Sequence, residues 1–365
     1  MKLTALGSGY YRVFKNGDEV SKHNSEREAM ESAINMELAD PSAVMTIKHD
    51  YEVRVEASVP VPAPIPEPAP APAPTSQAYP FRADSWLYKK GPVVARPDSA
   101  AIVTDLALWA KDVASGGKAA AFPTIAFSNW STPIIHVTDP AVPKKTVVYS
   151  TNLGKSVQIR VPDNIFAAGG GDQHCAIFDW VDRVFVDMWK FDPVTLKAVH
   201  GGMIADFPAS DATFPHPMGA RACGIAASAG VITLEALEKG VHEGMVAIAV
   251  PRTMLTPKWP ANRVDKGANI VYTGLVQMGQ ILRLQPSFVP NSAWPPIMKI
   301  YSTAYRDYGA VVVDTTGGSC INMAYIEDPR MKGKTFAEIK AAYYGGLDTW
   351  KMGQMFPWSK LEAVQ

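Results

Sequence analysis

Ala167–Trp180 reads AAGGGDQHCAIFDW. Three glycines free the backbone, Asp172, Gln173 and His174 follow at once, and an alternating apolar run then enters a core as a strand. The same pattern recurs on both sides. IIHV, KTVVYS, SVQIRV, RVFVDMWKF, GMVAIAV, NIVYTG, QILRL, AVVVD and CINMAYI are short apolar or alternating runs separated by Gly, Pro, Asp and Asn clusters. This spacing predicts a mainly β domain over residues 77–365, an antiparallel β-sandwich or jelly roll. A few inserted helices are marked by apolar residues at helical spacing: DSAAIVTDLALWAKDVA, PIMKIYSTAYRDYG with Ile297, Ile300, Tyr301, Ala304 and Tyr308 on one face, and TFAEIKAAYYGG, ended by Gly345-Gly346.

Upstream, Val59–Pro74 reads VPVPAPIPEPAPAPAP, with proline at every second position. Such a tract builds neither ladder nor helix and favours extended polyproline II, so residues 58–76 are expected to form a semi-rigid linker on the order of 50 Å long. Before it, residues 1–57 outline a small α+β module. Asn16-Gly17 is a tight-turn dipeptide between two β-like runs, Ser25-Glu26-Arg27-Glu28 opens a helix to about Asp40, and SAVMTIKHDYEVRVEA alternates as one or two strands.

The chain has 365 residues and a formal net charge of zero, so nothing in its bulk electrostatics favours nucleic acid or an anionic membrane. No apolar run approaches the length of a membrane span, and the N-terminus lacks an export-signal core. Cys175, Cys223 and Cys320 are isolated in apolar contexts, which predicts buried free thiols in a chain made in a reducing cytoplasm. His136, His174, His200, His216 and His242 show no metal-ligand spacing, and neither metal nor cofactor is expected.

Residues 1–57, with YYRVFKNGDEVSKH, SEREAMESAIN and HDYEVRVEA, resemble small N-terminal modules of structural or tail-associated proteins of tailed bacteriophages. The large domain is similar to a group of bacterial and phage proteins sharing motifs that appear here as NWSTPI, GGGDQH, DMWKF, GARACGIAASAGVITLEAL, AYRDYGAVVVD and YIEDP. That group supplies no catalytic residues to carry over. Where its pattern has Asp-Gly-His, this chain has Asp172-Gln173-His174, which questions a glycine-dependent turn while keeping the Asp and the His. The resemblance implies a virion protein displayed on the particle exterior, attached to other virion subunits through residues 1–57.

A folded module, a stiff spacer and a β-rich domain make a tethered display, and three readings follow. The leading one is a tail fibre, tail-associated or head fibre protein that binds host surface glycan, with Trp259 and Trp294 in proline-rich loops stacking on sugar faces and Gln173, Arg221 and Arg306 taking hydroxyls. The second is a polysaccharide depolymerase. Its lyase form would draw on His174, Asp172, Tyr308 and His242 with Gln173 and a basic Arg221 or Arg306, and its hydrolase form on paired carboxylates among Asp172, Asp179, Asp187 and Glu327, of which no spacing singles out two. The third is a purely structural decoration or assembly protein. A Ser nucleophile elbow is missing, since AASAG lacks the first glycine. A homo-oligomer is compatible with all three, although no coiled-coil heptads enforce one.

Overall fold

The computed structural model describes residues 80–90, 94–109, 124–127, 129–150, 156–266, 273–316 and 321–365, together with strand backbone at 3–5, 11–15, 18–23, 45–49 and 53–55. The chain falls into two compact units, Met1–Ala69 and Pro70–Gln365, which divide within the alternating proline tract. In the first unit, β1 (Leu3–Ala5) and β5 (Val53–Val55) pair antiparallel, and β2 (Tyr11–Lys15) is flanked by β3 (Asp18–His23) and β4 (Met45–His49). The strands β2 and β3 flank Asn16-Gly17, as that dipeptide predicts. The helix expected over 25–40, the linker and the NIVYTG run lie largely or wholly outside the described residues.

The second unit is mainly β. Its strands are β6 (Thr124–Ala126), β7 (Ile134–Val137), β8 (Lys144–Tyr149), β9 (Ser156–Arg160), β10 (Cys175–Asp179), β11 (Val184–Trp189), β12 (Lys197–Ala198), β13 (His200–Ala205), β14 (Val231–Ile232), β15 (Val246–Val250), β16 (Ile281–Leu284), β17 (Ala310–Thr315), β18 (Asn322–Ile326) and β19 (Leu361–Ala363). Helices α1 (Ser99–Trp109), α2 (Leu234–Lys239), α3 (Pro296–Asp307), α4 (Phe336–Tyr343) and α5 (Thr349–Met355) are inserted among them.

Three sheets result: a seven-stranded one ordered β14-β18-β15-β17-β16-β19 with β6 beside β18, a four-stranded one ordered β13-β11-β10-β7, and a three-stranded one ordered β12-β8-β9. The pairing is mixed, which corrects the expectation of an antiparallel jelly roll. Parallel pairs join β7 to β10, β8 to β12, β14 to β18, β15 to β17 and β6 to β18. Turn residues between short runs signal that the chain reverses, but they do not say which strand it next lies beside. Between β15 and β17 the chain makes a long excursion through β16 and α3 before returning parallel, the kind of crossover that parallel pairing requires.

Alternation along the strands assigns side chains to three cores. Val246, Ile248 and Val250 of β15 and Ala310 and Val312 of β17 pack with α1 and with Ile297, Ile300, Tyr301, Ala304 and Tyr305 of α3. The opposite face of the same strands, Ala247, Ala249, Val311 and Val313, meets Ala176 and Phe178 of β10 and Phe185 of β11. The other face of β10 and β11, with Cys175, Ile177, Val186 and Met188, closes a third core against Val147, Tyr149, Val157 and Ile159. Strands β10 and β15 are therefore buried on both faces, which is why each reads as nearly continuous apolar sequence.

The motif Gly219–Gly230 lies between the large and the four-stranded sheets. At Gly230 the backbone has φ +75°, and an added Cβ would stand 2.5 Å from the Ala247 nitrogen that donates to the Gly230 carbonyl at 2.8 Å. Both the positive φ and the contact demand glycine. Gly230→Ala is expected to lower stability by at least about 1 kcal/mol, read as a drop in melting temperature.

Candidate functional site

The turn at Gly169–His174 is built by close approach. Gly170 has φ +80°, and a Cβ there would be 3.0 Å from Nε1 of Trp130, whose backbone N–H donates to the Gly169 carbonyl at 3.1 Å. The glycines thus make room for an indole. Gln173 stands at φ +46°, so the left-handed turn forms without the glycine of the resembling group. Two hydrogen bonds fix it to the end of β11: Lys190 N–H to the Asp172 carbonyl at 2.7 Å and Phe191 N–H to the Gln173 carbonyl at 3.1 Å.

This turn presents Asp172 and His174 to a cavity of about 260 Å³ lined by residues of both sheets. From the four-stranded side come Trp189 and His200; from the large sheet and its loops come Asp265, Asp314 and Thr315, with Ala220 and Ala222 behind. Nε1 of Trp189 donates to Oδ1 of Asp172 at 3.1 Å, and the Thr315 hydroxyl donates to Oδ2 of Asp265 at 2.8 Å. Asp314, at the end of β17, accepts the Thr315 N–H at 2.9 Å. Burial pushes its carboxyl up to about 8, and the negative charges of Asp265 and Asp172 push the same way. At neutral pH Asp314 holds its proton.

His174 is buried, and desolvation lowers its pKa to about 4, so the ring is neutral. A backbone hydrogen bond at Met188 opposes that shift, and Nδ1 has no partner among the described residues. Arg221 is buried beneath the cavity. Its Nη1 donates to the Ala226 and Ala229 carbonyls at 3.0 and 2.7 Å, and its guanidinium lies 5.2 Å over the Tyr325 ring. Asp187, fully buried on β11, accepts the Ala220 N–H at 2.9 Å and the Ala227 N–H at 3.0 Å. Burial raises this carboxyl to about 7 against the opposing pull of those two donors.

Of the residues singled out from sequence, Asp172, His174 and Arg221 come together here, with Gln173 exposed on the same turn. The others go elsewhere. Tyr308 is buried in the core between the sheets beneath Lys90, whose Nζ lies 4.8 Å from the ring centre. His242 bonds the Met245 carbonyl at 3.3 Å and lines a different cavity. Arg306 pairs with Asp307, Trp294 packs beside Phe288 at 5.9 Å, and Trp259 is 60% exposed against Trp86. A lyase grouping of His174 with Tyr308 and His242 is therefore not assembled. Among the hydrolase candidates, Asp179 is tied to Arg160 and Glu327 lies at the other cavity, so the carboxylates that do converge on Asp172 are Asp265 and Asp314. AVVVD carried the signal for Asp314, an acid closing an apolar strand. Asp265, in a loop, carried none.

Cys175 and Cys223 are free and buried, and burial pushes the Cys223 thiol up to about 12. Among the described residues no group of three His, Cys, Asp or Glu side chains is arranged to hold a metal ion, and no helix is long and apolar enough to cross a membrane. Comparison with protein-family models, curated proteins and solved structures finds no match for this chain.

Between about pH 4 and 8 an unfolded aspartate loses its proton while folded Asp314 keeps it, so this residue costs stability progressively as pH rises. The stability of Asp314→Asn relative to the parent should therefore increase across that window in denaturant titrations. Asp187→Ala leaves two buried N–H groups without acceptors and should cost about 2–4 kcal/mol in the same measurement.

Proposed function

We propose that the Pro70–Gln365 unit hydrolyses a glycan by carboxylate acid–base chemistry, and that residues 1–57 and the proline tract hold it on the exterior of a phage particle against a host surface polysaccharide. The observation that carries the catalytic reading is Asp314, a carboxyl protonated at neutral pH in an open cavity that also contains Asp265 and Asp172. Glycoside hydrolysis needs such a division: one carboxylic acid to protonate the leaving oxygen, and one carboxylate to activate water or attack the anomeric carbon. Asp314 takes the first role. Asp265, oriented by the Thr315 hydroxyl, takes the second, while burial, then the charge of Asp265 and that of Asp172, held by the Trp189 indole, keep the proton affinity of Asp314 high. The tethered organisation supports the display half of the reading, as do the sequence motifs.

A second reading, an adhesin without turnover, is favoured by Trp130, which is 55% exposed and packs on Gly170 beside the same turn. Turnover separates the two. Incubation of the full chain with host capsular polysaccharide or lipopolysaccharide should release reducing ends, and Asp314→Asn or Asp265→Asn should slow release by about 10²- to 10⁴-fold while leaving retention on the glycan intact. Activity should fall as pH rises through about 8, where Asp314 ionises. Retention without new reducing ends would establish the adhesin, and neither retention nor cleavage would favour a structural decoration protein.

A further inference from the structure

Three positions around the Gly169–His174 turn hold residues that the fold does not ask for. Trp130 has φ +56° and Gln173 φ +46°, left-handed conformations that are sterically costly for any residue with a Cβ and most so for a bulky one. Both side chains are exposed, Trp130 at 55%, so neither conformation is offset by burial in a core. Gly171 is the reverse case. Its φ lies outside the left-handed region and an added Cβ would meet nothing within 4 Å, so neither conformation nor packing requires glycine there.

Backbone hydrogen bonds hold the three in one frame. Trp130 N–H donates to the Gly169 carbonyl at 3.1 Å, Ala168 N–H to the His174 carbonyl at 2.8 Å, and Phe191 N–H to the Gln173 carbonyl at 3.1 Å. A Cβ at Gly170 would stand 3.0, 3.1 and 3.3 Å from Nε1, Cε2 and Cδ1 of Trp130, so the pyrrole part of the indole lies over this glycine. From that seat bare backbone runs through Gly171 to Asp172, which lines the acidic cavity. Successive Cα atoms put Gly170 and Asp172 no more than about 7.6 Å apart. The other indole of the rim, Trp189, is already engaged: its Nε1 holds Asp172, and Lys190 Nζ lies 4.6 Å from its ring centre.

We propose that this strip is a sugar-binding subsite flanking the acidic cavity, in which a pyranose rests on the bare Gly171 backbone with its C–H face against the exposed Trp130 indole and its hydroxyls toward the Gln173 carboxamide. The cavity then acts on one unit of a glycan while the neighbouring unit is held on the rim, so the substrate is at least two linked sugars. What fills the cavity rests on the hydrolytic reading. A nucleic-acid strand also stacks on indoles, but it would carry a phosphate on every unit past Asp172 and Asp265 and be repelled.

The test is affinity electrophoresis of the full chain in gels containing host capsular polysaccharide or lipopolysaccharide, in an Asp314→Asn background so that the glycan is not cleaved. Reducing-end release is measured in parallel in the parent background. Trp130→Ala and Gly171→Ala should each weaken retention about five- to tenfold, and in the parent background raise KM by a similar factor with kcat little changed. Gly171→Ala should melt at the parent temperature or higher, since the methyl group enters open space and the unfolded chain loses freedom. Gln173→Gly should do the same by relieving a left-handed residue, while still weakening retention. Retention and KM unmoved in both Trp130→Ala and Gly171→Ala would overturn the subsite and leave the hydrolytic reading standing. Weaker retention accompanied by a lower melting temperature in Gly171→Ala would make the strip structural and overturn it as well. Retention that falls in these variants without reducing ends from the parent supports the subsite and removes the hydrolytic reading; no retention of either glycan removes both.

Discussion

The fold of the large unit turns on one buried carboxylate. Asp187 stands in the four-stranded sheet and takes the backbone N–H groups of Ala220 and Ala227, which belong to the loop laid against the seven-stranded sheet. An acid in that position carries a desolvation cost that two well-aligned donors only partly offset, as its elevated proton affinity shows. What the cost secures is position. The span from Ala220 to Ala227 places Arg221 beneath one cavity, and Ser228, the next residue, lines the other. A hydrophobic residue at 187 would fill the space and leave this loop with two orphaned N–H groups and no register.

Both cavities sit where close packing between the sheets gives way. Small residues, Ala247 on one sheet and Gly202 on the other, let the Gly230 and Gly219 backbones approach closely; the phenylalanines at 178, 185, 207 and 214 then fill the centre. Polar side chains collect beyond the aromatic centre. Asp172, Asp265 and Asp314 collect at one cavity, and Ser228, His136 and Glu327 at the other. The chemistry of each is set by desolvation acting on groups of opposite kind, raising carboxyls and lowering imidazoles, so that much of the buried titratable lining is uncharged near neutrality.

Much of this was legible in the sequence, and the failures have physical reasons. Strand positions and the faces of α3 follow from periodicity, because burial of alternate or helically spaced residues is a local property. Parallel pairing does not, because β15 finds β17 only after the excursion through β16 and α3. Asp172 and His174 drew attention through their glycine-rich turn. Asp265 did not, because its neighbours Val264 and Lys266 show no pattern, and its meeting with Asp172 and Asp314 is purely tertiary. Tyr308, one residue past α3, leaves the stripe of that helix: Ile297, Ile300, Tyr301 and Ala304 pack in one core, whereas Tyr308 turns into the core between the sheets.

The four-stranded sheet is shared between two cores, since Ala176 and Phe178 face one while Cys175 and Ile177 face the other. Neither core can melt while its neighbour stays folded, because the strand that would have to detach is a wall of both. Heat or denaturant should accordingly detach these two cores together at the shared sheet instead of opening one before the other.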